Sequence, residues 1–204
     1  MTEYEAFALE LAAEAARVTL PLFRNEAAAE NKAGEGAFDP VTEADRGAEA
    51  AIRRMIAGIA QPYLDEVCRG GPSGARLVSR GAERAIRVRE CARLTEAVIA
   101  TTDPDIFTPP EFGAWTQVRA AARLARFGCD AYAYAMVAMG RIDLVAETGL
   151  KEWDWSALIP VVEAAGGQVT DWTGGPPSGD GRIIAVGDAR VREDALVAFR
   201  RGVR

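Results

Sequence analysis

Apolar residues recur along this chain with two different periods, which together predict an alternation of helices and strands. Residues 2–24 carry apolar side chains three and four positions apart, which predicts an amphipathic helix. A second stripe of the same period begins at Thr42 and predicts another helix, with an apolar face formed by Ala44, Ala48, Ile52, Met55, Ile56 and Ile59. The apolar face of the first helix is formed by Leu9, Ala12, Ala16 and Leu20.

From Tyr63 onwards the period shortens, and strands are predicted between turns and helices. Leu64–Arg69 and Ala75–Ser79 are predicted to pair as a hairpin around Gly70-Gly71-Pro72. Further strands are predicted at Arg87–Arg89, Ala97–Thr102, Ala125–Phe127, Ile142–Glu147, Gln168–Trp172 and Ile183–Val186. Further helices are predicted at Trp115–Leu124, Asp130–Met139, Asp154–Ala165 and Val191–Arg201, with a kink expected at Pro160. This alternation predicts a layered α/β fold.

The composition is typical of a folded globular domain, since 49% of the 204 residues are hydrophobic and 26% are charged. A net charge of −6 argues against a nucleic-acid-binding protein, because phosphate backbones are bound by clustered basic residues. The amino terminus is acidic and amphipathic, which is not the pattern of a secretory signal. No stretch reaches the roughly 18 uncharged apolar residues of a membrane span. We therefore expect a cytoplasmic protein without nucleic-acid or membrane partners.

The chain contains no histidine, which excludes several kinds of catalytic site. Ser-His-Asp and Cys-His nucleophiles and histidine-ligated zinc sites all require an imidazole. Acid–base or metal chemistry must therefore use carboxylates, lysine, tyrosine or thiols. The three cysteines, Cys68, Cys91 and Cys129, lack a CxxC pair and are predicted to be reduced thiols.

Four acidic residues at predicted element boundaries are candidates for site chemistry. Asp154 stands at a predicted helix start between two tryptophans, where it can be a helix N-cap or a metal ligand. Asp130 can be an N-cap or can bind a ligand, and Glu147 can be a solvated strand end or part of a site. Asp45 lies three residues after Thr42, which is the spacing of a capping box, and a role near a metal stays open beside it.

Two stretches resemble motifs of the inositol monophosphatase family. Asp39–Asp45, together with Lys32 before it, resembles the first motif of that family. Trp153–Leu158, together with Glu163–Gly167, resembles the last motif. The last motif is the more specific of the two, and the resemblance extends nearly from end to end of the chain.

Within this family, the histidinol-phosphatase branch is the one that Gly128–Tyr134, Gly140 and Leu144–Glu147 resemble most. The resemblance implies a single phosphatase-like domain over residues 1–204, with a layered αβαβα sandwich that hydrolyses phosphate monoesters using Mg²⁺. It also implies a small phosphorylated metabolite as substrate, histidinol phosphate in histidine biosynthesis, and a homodimer. An inositol-1-phosphate or nucleotide phosphatase of the same family is one alternative, and a non-catalytic binding protein is another.

The same resemblance implies roles for particular residues. Asp154 corresponds to a metal ligand. Lys32 lies by the metal site, and Asp45 supports the attacking water through a threonine, so both are expected to be catalytic. Asp130 and Glu147 correspond to residues that meet the non-phosphate part of the substrate, where two acids suit a cationic amine. Magnesium fits such a site because it prefers oxygen ligands and lowers the pKa of its bound water.

One segment of the family pattern is missing from this chain. The family places a Gly-Glu-Glu loop and an Asp-Pro-Ile-Asp-Gly-Thr motif between the second helix and the hairpin, whereas Met55–Ala60 here continues directly into Gln61–Glu66. The only Asp-Gly pair in the sequence is Asp180-Gly181. The missing segment, on the order of 50 residues, is longer than the roughly 30 of a βαβ unit and would supply most metal ligands. We expect residues 1–102 to form a truncated first half with an incomplete first sheet, and residues 103–204 a second α/β half.

We predict that this chain releases little or no phosphate in the presence of Mg²⁺. Two metal ions roughly 4 Å apart need several shared carboxylates, and Asp154 alone cannot hold them. Phosphate release from histidinol phosphate, measured with and without Mg²⁺ against a protein-free control, should stay near background. Turnover on the order of 1 s⁻¹ or faster, which is typical of enzymes, would contradict this prediction.

Overall fold

A computed structural model describes residues 3–22, 30–31, 40–41, 43–44, 46–48, 51 and 57–202. Contacts between residues divide the chain into two compact units, Met1–Ile56 and Ala57–Arg204. The predicted halves, residues 1–102 and 103–204, stay a prediction.

The first unit contains a long helix and a short strand pair. Helix α1 spans Glu3–Thr19 and continues as a 3₁₀ turn over Leu20–Leu22, which confirms the predicted first helix. The α-helix ends at Thr19, and the 3₁₀ turn begins at Leu20. Leu20 precedes Pro21, and the residue before a proline disfavours α-helical backbone angles. Strand β1 (Glu30–Asn31) pairs antiparallel with β2 (Pro40–Val41). Residues 43, 44, 46–48 and 51 are helical, in line with the predicted second helix, but Ile59, at the end of its predicted apolar face, lies in a strand.

The second unit begins with a four-stranded antiparallel sheet whose neighbouring strands are consecutive in sequence. Its strands are β3 (Gly58–Gln61), β4 (Glu66–Gly71), β5 (Gly74–Ser79) and β6 (Ala82–Ile86). The predicted hairpin is confirmed as β4 and β5, and Gly71 pairs with Gly74 beside the turn.

The predicted strand at Arg87–Arg89 is wrong, because the strand in this region is β6 and it ends at Ile86. Arg80 and Gly81 form the turn before β6, and both have positive φ angles. Tight hairpin turns of this kind are usually signalled by Asn-Gly or Asp-Gly, so the Arg-Gly pair hid the hairpin. After Ile86 the chain leaves the sheet, and the Val88 N–H donates to the Ala165 carbonyl at 3.0 Å.

The second sheet is mixed and contains five strands, each of which overlaps a predicted strand. They are β7 (Val98–Thr101), β8 (Leu124–Phe127), β9 (Leu144–Glu147), β10 (Gln168–Thr170) and β11 (Ile183–Val186). Their order across the sheet is β10-β11-β9-β7-β8. Strand β7 is parallel to β8 and β9, whereas β11 is antiparallel to β9 and β10. The carboxyl ends of β8, β7 and β9 therefore meet at one edge of the sheet.

The helices of the second unit are α2 (Pro109–Ala121), α3 (Asp130–Ala138), α4 (Glu152–Trp155), α5 (Leu158–Ala164) and α6 (Ala189–Gly202). Helix α2 begins six residues before the predicted start at Trp115. Its start is capped by the Glu111 carboxylate, which accepts the Thr108 N–H at 2.8 Å. Pro109 and Pro110 favour this start, because the first turn of a helix needs no N–H donors.

The helix predicted over Asp154–Ala165 is two helices, α4 and α5, which are separated at Ser156 and Ala157. Pro160 provides the physical reason. It lacks an N–H, and its ring crowds the carbonyl four positions earlier, which belongs to Ser156. The expected kink is therefore a break between α4 and α5.

Apolar cores lie on both faces of the second sheet. Along β9, Leu144 and Ala146 belong to one core and Val145 to the other, as the period of two in a strand requires. The Val145 core also contains residues of the first sheet, α3 and α5. The other core contains residues of α2 and α6. The second unit is thus layered as sheet, helices, sheet and helices, which confirms the predicted mixed α/β class with two sheets.

Within the described ranges, no helix combines the length and apolar character that crossing a bilayer requires. Cys68, Cys91 and Cys129 are free thiols, as predicted. Burial raises the pKa of Cys68 to about 11, which keeps this thiol protonated at neutral pH.

We predict that Gly70→Ala strongly destabilises the second unit. A Cβ atom on Gly70 would lie 2.2 Å from the Pro160 carbonyl oxygen, because β4 approaches α5 closely at this point. Since backbone atoms cannot move aside cheaply, we expect a loss of about 3 kcal/mol in the free energy of unfolding.

The matched control for this substitution is Gly113→Ala, in helix α2, where an added Cβ meets no atom within 4 Å. Alanine is the better helix former by up to about 1 kcal/mol, so this variant should be neutral or more stable. Urea unfolding followed by circular dichroism measures both effects. Equal stabilities of the two variants would contradict the close approach.

Candidate functional site

A cavity of about 400 Å³ lies at the edge of the second sheet where β8, β7 and β9 end. Thr102 follows β7, Asp130 begins α3 after β8, and Glu147 is the last residue of β9. This is the edge at which open α/β sheets bind ligands. The remaining lining residues are Ile106, Ala131, Tyr134, Thr148, Leu150, Asp154 and Leu158. Three predicted site residues, Asp130, Glu147 and Asp154, thus come together.

Glu147 is 2% exposed, so the interpretation as a solvated strand end is wrong. The alternation along β9 turns its side chain to the same face as Val145, which is the face that carries α3. Its Oε1 atom accepts the Thr102 N–H at 2.8 Å and the Thr102 hydroxyl at 2.9 Å. Burial raises the pKa of Glu147 above its ordinary value, and the negative charge of Asp130 adds to this shift.

Asp130 is the first residue of α3 and follows the N-cap, Cys129, so the N-cap interpretation of Asp130 is wrong by one residue. Its φ angle is 44°, in the left-handed region that Asp tolerates better than most side chains. Gly128, two residues before Asp130, donates its N–H to the Thr102 carbonyl at 2.9 Å. This bond ties the turn between β8 and α3 to the end of β7 and so holds Asp130 beside the cavity.

Asp154 occupies the third position of α4, whose N-cap is Lys151, so the N-cap interpretation of Asp154 is also corrected. Its Oδ2 atom accepts the Lys151 N–H at 2.8 Å, which caps the helix from inside. The adjacent Leu150 donates its N–H to the Gly181 carbonyl at 3.2 Å. The loop before α4 is therefore held at two consecutive residues, Leu150 and Lys151, and Asp154 both caps α4 and lines the cavity.

Tyr134 lines the cavity and was not among the predicted site residues. It is 2% exposed, and its hydroxyl has no hydrogen-bond partner among the described residues. Leaving a buried hydroxyl unpaired costs on the order of 1–3 kcal/mol. The i, i+4 spacing from Asp130 places both residues on one face of α3 and was the sequence signal for Tyr134.

Glu111 contacts the wall of the cavity through Thr148, and it was also not among the predicted site residues. This carboxylate is 2% exposed and accepts the Thr108 hydroxyl at 2.7 Å, the Thr148 hydroxyl at 3.1 Å and the Arg182 Nε–H at 2.7 Å. Although burial opposes ionisation, the hydrogen bonds from Arg182 and Thr108 lower the pKa of Glu111 overall. The capping sequence Thr108-Pro109-Pro110-Glu111 was visible, but its bonds to Thr148 and Arg182 join residues far apart in sequence.

Two predicted catalytic residues, Lys32 and Asp45, lie outside the described residues, and so does the proposed capping partner Thr42. Their expected roles stay predictions.

The donors of the described residues do not make up a magnesium site. Magnesium needs near-octahedral oxygen ligation, and paired metal ions share several carboxylates. In the part of the chain that the structure describes, no three acidic or thiol side chains are grouped to hold a metal ion. Asp154 is the predicted ligand, and its Oδ2 atom already accepts the Lys151 N–H.

The chemistry of the cavity favours a ligand that carries positive charge. Among the ten described residues that line it, three are carboxylates and none is lysine or arginine. Thr102, Tyr134 and Thr148 add hydroxyl groups, and Ile106, Leu150 and Leu158 add apolar surface. A protonated amine would be attracted by the acids and would offset the cost of burying Glu147.

The sequence model of the inositol monophosphatase family matches residues 54–202. The chloroplastic bifunctional phosphatase IMPL2 of Arabidopsis thaliana is 38% identical over 147 residues, which cover 68% of this chain and 42% of that protein. This chain therefore spans less than half of that relative's length.

Two further relatives match over almost the whole chain. The histidinol-phosphatase of Chlorobaculum parvum is 26% identical over 260 aligned positions, covering 100% of this chain and 99% of that protein. An inositol monophosphatase from Zymomonas mobilis, known from its structure, is 28% identical with a TM-score of 0.67, covering 98% of this chain and 100% of that one.

We predict that Glu147 makes the protein less stable as the pH rises. The pKa of Glu147 is higher in the folded than in the unfolded protein, so the folded state holds its proton to higher pH. The free energy of unfolding therefore falls as the pH rises above the ordinary glutamate pKa. In Glu147→Gln, an amide oxygen can keep the two bonds from Thr102 without a charge. Its stability relative to the wild type should increase with pH in urea unfolding between about pH 4 and 8. Parallel pH profiles would contradict the shift.

Proposed function

This chain belongs to the inositol monophosphatase family of magnesium-dependent phosphomonoesterases, and we propose that it binds histidinol phosphate or a closely similar phosphorylated amine. We propose further that it hydrolyses this ligand little or not at all. Binding depends on residues at the carboxyl edge of the second sheet, whereas hydrolysis depends on metal ligands that the sequence lacks.

The observation that carries this proposal is the acidic lining of the cavity. Asp130 and Glu147 approach it from two different elements, the start of α3 and the end of β9. A protonated amine can donate N–H groups to both carboxylates, and charge-assisted hydrogen bonds of this kind are shorter and stronger than neutral ones. Because Glu147 is buried, the bond that it accepts is formed away from water and is screened little by salt.

An inositol phosphate is the second candidate ligand, and the hydroxyl groups of Thr102, Tyr134 and Thr148 favour it. A polyol bears no charge on its ring, so it would leave the electrostatic cost of Asp130 and Glu147 uncompensated. The amine therefore fits the described cavity better. Names of relatives point in both directions, since one is called a histidinol-phosphatase and another an inositol monophosphatase.

The alignment lengths support the proposed loss of hydrolysis. The match to the histidinol-phosphatase of Chlorobaculum parvum spans 260 positions, which is 56 more than the 204 residues of this chain. A difference of this size agrees with the missing segment inferred from the sequence. Without that segment the chain has no Asp-x-x-Asp-Gly motif, and we propose that it retains the substrate-binding part of the family site. Homodimerisation stays a prediction from the family resemblance.

We predict that L-histidinol, the non-phosphate part of the proposed ligand, binds this chain without added metal. Titration calorimetry at about pH 7 should show binding to the wild type. Asp130→Asn should weaken it by about 10-fold or more, because a hydrogen bond to a charged partner contributes about 1.5–3 kcal/mol.

The matched control is Glu193→Gln on helix α6, where a carboxylate with an exposed side chain pairs with Arg192 and does not line the cavity. This variant changes the net charge by the same amount and should bind L-histidinol as the wild type does. Stronger binding of myo-inositol than of L-histidinol would contradict the proposed ligand. Equal losses in both variants would show that overall charge, rather than the cavity, attracts the amine.

A further inference from the structure

We propose that Tyr134 is a specificity-determining residue of the cavity, whose buried hydroxyl hydrogen-bonds a polar group of the ligand while Glu147 accepts from a neighbouring donor. This inference deepens the proposed function, because it concerns how the same cavity selects its ligand. It rests on the burial, placement and lack of a partner of one side chain.

The placement of Tyr134 follows from helix geometry. In α3, Asp130 and Tyr134 are four residues apart, so their side chains lie on one face of the helix, and both line the cavity. Tyr132 is offset by two residues and points elsewhere, where its hydroxyl donates to the Glu66 carboxylate of β4. The two tyrosines of α3 therefore differ in the hydrogen bonding of their hydroxyl groups. Tyr132 has a partner within the protein, and the described residues supply none for Tyr134.

The surroundings of Tyr134 keep its hydroxyl available as a donor. Burial raises the pKa of Tyr134 well above its ordinary value, and the negative charge of Glu147 raises it further. The phenol is therefore protonated throughout the physiological range. Tyr134 supplies a buried donor and Glu147 a buried acceptor to the same cavity, which matches a ligand that carries both an acceptor and a donor, such as an amino alcohol or a polyol.

Because the buried Tyr134 hydroxyl is unpaired among the described residues, we predict an effect of its removal that would not be seen if Tyr134 served only in packing. Tyr134→Phe removes the unpaired group and keeps the ring in the Val145 core, so the free protein should be as stable as the wild type or more stable. The same variant should bind its ligand about 3- to 10-fold more weakly, which corresponds to the loss of one neutral hydrogen bond. Stability and affinity thus change in opposite directions.

Tyr132→Phe is the matched control on the same helix. It removes a hydroxyl that is bonded to Glu66, so it should lower stability and leave ligand affinity unchanged. The full chain and both variants are compared by urea unfolding without ligand, and by titration calorimetry with L-histidinol and, separately, with myo-inositol.

The outcomes separate this proposal from the proposed function. Weaker binding of L-histidinol by Tyr134→Phe alone, with undiminished stability, supports both. The same loss seen with myo-inositol, when the wild type does not bind L-histidinol, overturns the proposed ligand and supports the role of Tyr134. Unchanged binding of L-histidinol by Tyr134→Phe overturns the role of Tyr134 and leaves the ligand in place. A loss of stability in Tyr134→Phe that matches the loss in Tyr132→Phe shows that Tyr134 is a packing residue. Failure of the wild type to bind either probe overturns both proposals.

Discussion

The cavity depends on one feature that lowers the stability of the fold, the burial of the Glu147 carboxylate at the end of the central strand β9. A carboxylate removed from water is destabilising unless hydrogen bonds or an opposite charge compensate it. Here the compensation comes from the N–H and hydroxyl groups of Thr102, at the end of the neighbouring parallel strand. Parallel pairing of β7 with β9 brings those strand ends together, so the sheet topology itself makes the site possible.

A second buried acid, Asp143, just before β9, shows what full compensation looks like. Asp143 is 1% exposed, and it accepts the Arg89 Nε–H and the Val98 N–H, both at 2.7 Å. The Arg89 guanidinium neutralises the charge of Asp143, and this ion pair joins the segment after β6 to the second sheet. Glu147 has only neutral partners, its pKa is raised, and it faces a cavity. Asp143 and Glu147, at the two ends of β9, therefore have different roles. The charge of Asp143 is paired within the protein, whereas Glu147 can still pair with a charged ligand.

Much of the fold was predictable because its elements are encoded locally. The five strands of the second sheet overlapped their predictions, since a buried strand shows as a short apolar run whatever lies beside it. The errors in the fold have local causes that the apolar pattern does not show. The Arg80-Gly81 turn hid β6, and Pro160, where a kink was expected, divides the predicted helix into α4 and α5. Of the site, the sequence indicated Asp130, Glu147 and Asp154 as candidate acids, but it left open whether Glu147 is buried, and neither Asp130 nor Asp154 is the N-cap of its helix.

The sequence by itself determined the kinds of chemistry that are open to this protein. It excludes histidine chemistry, carries the last motif of the phosphatase family, and lacks an Asp-x-x-Asp-Gly motif. Only the tertiary structure decided that Glu147 is buried rather than solvated, that Tyr134 shares its cavity, and that Glu111 braces the wall behind. These facts depend on which strand ends and helix faces converge. Burial and hydrogen bonding between residues far apart in sequence arise from packing, which no local pattern records.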